Sequence, residues 1–340
     1  MLNQETFMCY YVLMDKKGKI IFLLFLMVLA FTCTVVCTAI GSIHYTFVQT
    51  LKAIFVDDAS SARLIIYNLR LPRILTGGLV GLCLALSGCI LQAVMRNNLA
   101  SPTTIGVTGG ASFVAYLSLV VFPSLAAMLP IGAIVGALGT TLLIYGLSYN
   151  KGVNPTRMIL SGLAISALFN AFNDMIKTFF ADSFTNATAF IVGSLNSASW
   201  KTFNLILPYA LIGIILCLII PKKVNILCLG DEVAFSLGLR VETLRFILII
   251  ISSLLSGSAI AAAGIISFVG LIVPHFARLI VGSDHRFLFP ASALMGYCLV
   301  IICDTIGRVI INPGEVSVSI ILALLGAPFF LYLLRKKEVY

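Results

Sequence analysis

Charge-free apolar runs, each about as long as a bilayer core is thick, limit what this chain can fold into. From Ile20 to Ile40 no residue carries a charge, and a helix crossing a hydrocarbon core of about 30 Å needs roughly 20 such residues. About ten segments meet that standard. They fall at 20–42, 71–95, 103–122, 128–148, 157–180, 203–221, 244–264, 265–281, 288–311 and 316–334. The composition agrees: of 340 residues 60% are hydrophobic and 10% charged, against about 45–50% and 25% in soluble domains. A soluble enzyme, a nucleic-acid-binding domain and a disordered chain are excluded on that ground. Ten spans consume about 200 residues, so no sizeable extramembrane domain can be built from the rest. The expected fold is all-α: a polytopic membrane protein in which residues 1–340 make one transmembrane domain.

The net charge of +9 is an orientation device rather than a nucleic-acid footprint. With the N-terminus inside, the cytoplasmic segments hold Lys16, Lys17, Lys19, Arg96, Lys151, Arg157, Lys222, Lys223, Arg240, Arg245, Arg278, Arg286, Arg335, Lys336 and Lys337. The other side holds Lys52, Arg63, Arg70, Arg73, Lys177, Lys201 and Arg308. That asymmetry places both termini in the cytoplasm. The first run exceeds the length of a signal-peptide core and reads as an uncleaved span.

Catalytic and metal-binding signatures are missing. No GxxxxGK[ST] occurs, so ATP phosphates have no P-loop here. The three histidines, His44, His275 and His285, form no HExxH, and no GxSxG turn is present. Nine cysteines include no CxxC; Cys33 and Cys37, on one helical face, read as small packing residues. A proton- or sodium-coupled carrier would be expected to hold acidic groups at mid-membrane depth. Asp174 instead stands three residues before Lys177, and Asp304 four before Arg308, spacings that predict ion pairs within each helix.

Four stretches say more than hydropathy. Arg70-Leu71-Pro72-Arg73 opens the second span with Pro in a first turn and two permanent cations suited to carboxylates on a soluble partner. Gly77, Gly78, Gly81 and Gly88 then allow close helix approach, and Ser101-Pro102 reads as a helix start. The third stretch, 222–245, is too apolar for a free linker. Within it Asp231–Leu237 forms a short helix bracketed by Gly230 and Gly238, with Ala234 and Leu237 on a face that suits a covering partner. In the fourth, Pro274 is expected to kink the eighth span, with His275 packed beside it.

In this order the stretches resemble the permease subunit of FecCD-type ABC importers, which move ferric siderophores, haem and vitamin B12. The matching motifs are RLPR at Arg70–Arg73, ALSG at Ala85–Gly88 with Leu91-Gln92, and Arg96-Asn97, Leu99-Ala100, Pro102 and Gly106. They continue with Leu229–Gly238, Gly264–Arg278, Gly282–Arg286, Pro290–Leu294 and Gly326–Arg335. The resemblance implies a type II ABC importer permease of ten spans with both termini cytoplasmic, in the plasma membrane of a prokaryote. It implies a second permease subunit (an identical copy or a paralogue), two separate ATPase subunits that bind ATP and magnesium, and an extracytoplasmic substrate-binding protein. The chain itself would bind no cofactor and hydrolyse nothing. By the same resemblance Arg70, Arg73 and Arg308 would dock the binding protein. Leu229, Gly230, Asp231, Glu232, Ala234, Leu237, Gly238 and Leu239 would seat in the ATPase groove. A ferric siderophore is the expected cargo, with haem or cobalamin as alternatives and an ion-coupled secondary transporter as the remaining one.

Two departures stand out: Asn98 replaces the family's usual Pro, and the loop Pro313, Glu315, Ser317, Ser319 lacks the usual second Pro and Gly. The second concerns the outer docking surface, where Trp200 and Lys201 are also expected. For the pathway, Ser166, Asn170 and Asn173 share one face of the fifth span at i, i+4 and i+7, a spacing that equally suits hydrogen bonds between helices.

Overall fold

The computed structural model describes residues 14–335 apart from 42, 44, 57–59, 150–154, 182–189, 191 and 312–313. His44, Lys151, Pro313, Lys336, Lys337 and both chain ends therefore lie outside the described residues. The rest is helical, with no β-strand among the described residues. Fourteen α-helices follow in order among the described residues: α1 Lys16–Ala39, α2 Phe47–Phe55, α3 Ser61–Ile65, α4 Leu71–Met95, α5 Val107–Tyr116, α6 Leu129–Ser148 and α7 Pro155–Phe179. Then come α8 Trp200–Ile219, α9 Pro221–Cys228, α10 Asp231–Ser236, α11 Val241–Ala263, α12 Val269–Val281, α13 His285–Val309 and α14 Val318–Arg335. A π-turn, Ile66–Arg70, joins α3 to α4. Among the described residues seven helices are long and apolar enough to cross a membrane, and three shorter apolar ones fill the third, eighth and tenth places. Every expected span has its helix.

The core is built around α4, which is buried along nearly its whole length and packs against α8, α11, α12 and α13. Glycines make this possible. A Cβ on Gly81 would lie 2.1 Å from the Gly296 carbonyl oxygen of α13, and one on Gly88 would lie 1.8 Å from that of Gly270 in α12. Bare backbone therefore meets bare backbone, as small residues allow in apolar surroundings. Hydroxyls add short links: Ser87 Oγ lies 2.7 Å from Ser252 Oγ of α11, and Thr141 Oγ1 of α6 lies 2.7 Å from Ser253 Oγ. At the periphery α1 leans on α13, where Thr34 Oγ1 meets Tyr297 OH at 2.8 Å.

The third and eighth spans are helical over only part of their length, which corrects the expected starts at 103 and 265. Ser101 Oγ accepts the Thr104 N–H, a cap-like bond, but 101–106 continue as turns and α5 begins only at Val107. In the eighth span 264–268 carry no helix and α12 begins at Val269. The helix break falls at Gly264, and α12 runs on through Pro274. Gly264 has φ +73°, and a Cβ there would sit 1.9 Å from the Phe190 carbonyl oxygen, so only glycine fits. Phe268, at the start of α12, holds a left-handed φ of 69°, uncommon for a bulky residue. The first interruption meets the start of α12: the ring of Pro102 lies against Gly270. Irregular backbone at membrane depth is tolerated only where protein or a cavity covers it, and a cavity is what lies there.

Candidate functional site

That cavity, about 600 Å³, is walled by Asn97, Leu99–Ser101, Thr103 and Thr104 from the first interruption and by Ser267, Phe268 and Leu271 from the second. Ile159 and Leu163 of α7 and Phe330 of α14 complete it. The Phe268 ring packs on Gly326 of α14, where a Cβ would come within 2.6 Å of it. The lining is mostly apolar, with a few hydroxyl and amide groups confined to the interrupted segments.

The expected pathway trio on α7 is not brought together around this cavity. Asn173 is buried and its Nδ2 donates to Ser112 Oγ of α5 at 3.2 Å. Ser166 Oγ is also enclosed, beside Gly106. These two serve the α5–α7 contact, and only Asn170 is exposed. The outward face of α7 also presents Leu160, Ala164, Ala167 and Ala171.

At the Arg70 end the three expected docking arginines do converge, around a cavity of about 460 Å³ that also touches Gly41, Asn196, Gly314 and Glu315. All three already have partners. Arg70 is buried and donates to the carbonyls of Thr38, Ala39 and Ile43, closing the end of α1. Arg308 donates to the carbonyls of Cys37 and Ile40. Arg73 holds Asp304 through two bonds of 2.9 Å and Glu315 through a third of 2.9 Å. The expected Asp304–Arg308 pair is thus replaced by Arg73–Asp304, because the fork of Arg73 matches both carboxylate oxygens while Arg308 is spent on helix-end carbonyls. Asp174 and Lys177 do pair, at 2.9 Å. Trp200 Nε1 donates to the Tyr67 carbonyl, and its ring packs tilted at 43° against that of Tyr67. Lys201 lines a separate cavity of about 420 Å³ with Asn196, Ser197 and Thr202.

At the opposite, Asp231 end, α9 and α10 stand beyond the spans. The expected short helix forms between Gly230 and Gly238, and Leu237 is exposed as expected, but Ala234 turns inward instead. Ala234 is fully buried against the bundle, while Leu229, Val233, Phe235 and Leu237 are exposed, Phe235 by 76%. Sequence reasoning missed Val233 and Phe235, although Leu229, Val233 and Leu237 repeat at the helical spacing of four. It also missed Arg245, whose side chain is 1% exposed and which donates to Asp231 and Glu242, each at 2.8 Å. The i, i+3 spacing of Glu242 and Arg245 was the available signal. Nearby, Asn225 Oδ1 accepts the His285 N–H at 3.0 Å and its Nδ2 donates to Asp284 at 2.8 Å. Hydrogen bonds from Arg286, aided by the one from Asn225, hold the Asp284 carboxyl well below the usual carboxylate range. All eight cysteines among the described residues are free thiols, and no metal-binding cluster occurs among those residues.

Comparison with known proteins agrees with this architecture. The sequence pattern of the FecCD transport family matches residues 25–336. The Fe(3+)-citrate import system permease protein YfmD of Bacillus subtilis is 37% identical over 298 residues, 88% of this chain and 89% of its own. The hemin transport system permease protein HmuU of Yersinia pestis is 38% identical, covering 80% of this chain and 83% of its own. The cobalamin import system permease protein BtuC of Halobacterium salinarum is 37% identical over 82% of this chain and 75% of its own. Among solved structures, an inward-facing transporter assigned to the metal-chelate ABC type superposes with a TM-score of 0.83 at 30% identity, covering 93% of this chain and 99% of that one.

Proposed function

Because this chain belongs to the FecCD transport family, we propose that it works as one of two membrane subunits of an ATP-driven importer and carries a ferric siderophore inward across the plasma membrane. The observation that carries this reading is α10: a short helix outside the bundle, seated by Ala234, with Leu229, Val233, Phe235 and Leu237 bare. An apolar face of that kind on an otherwise polar end calls for a protein that covers it. Two separate ATPase subunits are the proposed occupants, since this chain has no P-loop of its own.

The outer face would receive a substrate-binding protein over the cavity of Arg70, Arg73 and Arg308. Its guanidinium groups are fixed by internal partners, so they would offer that protein a set positive field rather than free side chains. Cargo would then descend between two permease subunits along the exposed faces of α7 and toward the interrupted segments. Both ends must bias one bistable arrangement for such exchange: ATP-driven closure of the ATPases pushes on α10, and the cavity between 97–104 and 267–271 opens or closes in response. Relatives named for iron citrate, hemin and cobalamin import mark the cargo class, and haem and cobalamin are the alternatives to a siderophore. No acidic group is left for ion coupling in the bundle centre among the described residues: Asp304 is taken by Arg73 and Asp174 by Lys177.

The test is purification in mild detergent with the neighbouring ATPase, followed by uptake in liposomes. ATP-dependent accumulation of a ferric siderophore supports the reading. Uptake that runs on a proton gradient without ATP contradicts it.

A further inference from the structure

One carboxylate ties the exposed helix α10 to both walls of the cavity between 97–104 and 267–271. Asp231 opens α10, and its Oδ1 accepts a 2.8 Å bond from Arg245 Nη2 in the first turns of α11. The same oxygen lies 3.7 Å from Arg96 Nη2. Arg96 is the left-handed corner, φ 47°, at which α4 ends, and the residues that follow it, 97–104, form one wall of the cavity. From Arg245, α11 runs without a break to Ala263 and delivers 264–268, whose Ser267 and Phe268 stand in the other wall.

The two contacts are unequal. Arg245 is 1% exposed and is clamped on its other side by Glu242 at 2.8 Å, whereas the Arg96–Asp231 pair is about 40% exposed on both sides. A buried, hydrogen-bonded guanidinium cannot swing aside without leaving desolvated charge behind. It therefore moves with its partner, while a half-exposed pair is screened and slack. Asp231 is not among the residues that line the cavity, and Arg245 is too buried to touch a soluble partner.

We propose that Arg245 is a positioning residue for transport: a strut that transmits displacement of α10 through Asp231 into α11, and so into the wall at Ser267–Phe268, with Arg96 as a weaker second link to the wall at 97–104. This rests on α10 being the seat of the ATPase. Its signature is loss of coupling, because a merely structural defect lowers hydrolysis and transport together.

The experiment uses the complete transporter in liposomes and reads chelate molecules moved per ATP hydrolysed. Arg245→Gln is expected to lower that ratio at least tenfold, Arg245→Lys to restore part of it, and Arg96→Gln to lower it less. The double variant Asp231→Asn/Arg245→Gln, which removes both charges of the link, should be no worse than Arg245→Gln alone, since residues acting as a unit do not add. A ratio within twofold of wild type in Arg245→Gln, or a double defect equal to the product of the single ones, overturns the strut. If Arg245→Gln does not assemble, the double variant is read in its place, with a tenfold loss supporting and a wild-type ratio overturning. A wild-type chain that engages no ATPase overturns the docking reading itself. A coupled wild type beside an unaltered Arg245→Gln overturns the strut alone.

Discussion

Replacing Arg73 by Gln should weaken the bundle far more than a surface-docking residue would. The guanidinium makes three bonds of 2.9 Å, two to Asp304 and one to Glu315, and the Asp304 side chain is 3% exposed. Removing one partner of a buried ion pair leaves the other charge desolvated, at about 3–5 kcal/mol. The Gln amide can return one hydrogen bond, about 1 kcal/mol, so the net loss is about 2–4 kcal/mol. At the usual unfolding entropy per residue a chain of 340 residues shifts by roughly 1.4 °C per kcal/mol, so the midpoint for losing the monodisperse detergent-purified species should fall by roughly 3–6 °C. Adding Asp304→Asn removes the stranded carboxylate, so the double variant should recover about half of that loss or more. Arg308→Gln should couple to Asp304→Asn less strongly than Arg73→Gln does, since Arg308 bonds to the Cys37 and Ile40 carbonyls rather than to the carboxylate. An Arg73→Gln chain within about one degree of wild type, or a double variant as unstable as the single, would refute the reasoning.

Other consequences follow from the same geometry. Gly88→Ala drives a methyl into the Gly270 carbonyl oxygen. It should cost about 1–3 kcal/mol or more through overpacking, read as lost folded yield. Phe235→Ser leaves the fold intact, since the ring is exposed, but should weaken ATPase binding tenfold or more in a pull-down, as removal of an aromatic anchor does. Asn173→Ala removes the donor to Ser112 and should cost about 1 kcal/mol of stability, whereas Asn170→Ala should leave stability unchanged and slow uptake. Asp284 has a depressed pKa, so its stabilising contribution is complete at neutral pH and is lost as the pH falls through and below the usual carboxylate range. Asp284→Asn should therefore be less stable than wild type at pH 7, with the gap narrowing below about pH 4.

Local signals in the sequence carried the span count, the short helix between Gly230 and Gly238 and the Asp174–Lys177 pair, because each depends on neighbours within about a turn or on hydropathy summed over a window. Contacts across the bundle were not legible. Arg73 reaches Asp304 across 231 residues, and a pattern that favours i, i+4 pairing assigned Asp304 to Arg308. The interruptions at 101–106 and 264–268 were hidden for another reason. Ile265 and Ile266 keep the second run apolar whether or not the backbone is helical, while the first, Ser101-Pro102-Thr103-Thr104-Ile105-Gly106, carries a helix-start signal ahead of a helix that begins only at Val107. The glycine with its φ of +73° at 264 was the only local mark of the second break. On α7 and α10 periodicity found the elements but not the side each turns to the protein, which depends on partners such as Ser112 and on the fit of Ala234.

The most direct test of the account is uptake by the purified permease, ATPase and binding protein in liposomes, with ATP supplied only on the side of α10. The account predicts accumulation of ferric siderophore that requires ATP on that side and persists when the proton gradient is collapsed. Uptake by the permease alone, driven by an ion gradient and indifferent to ATP, would contradict it.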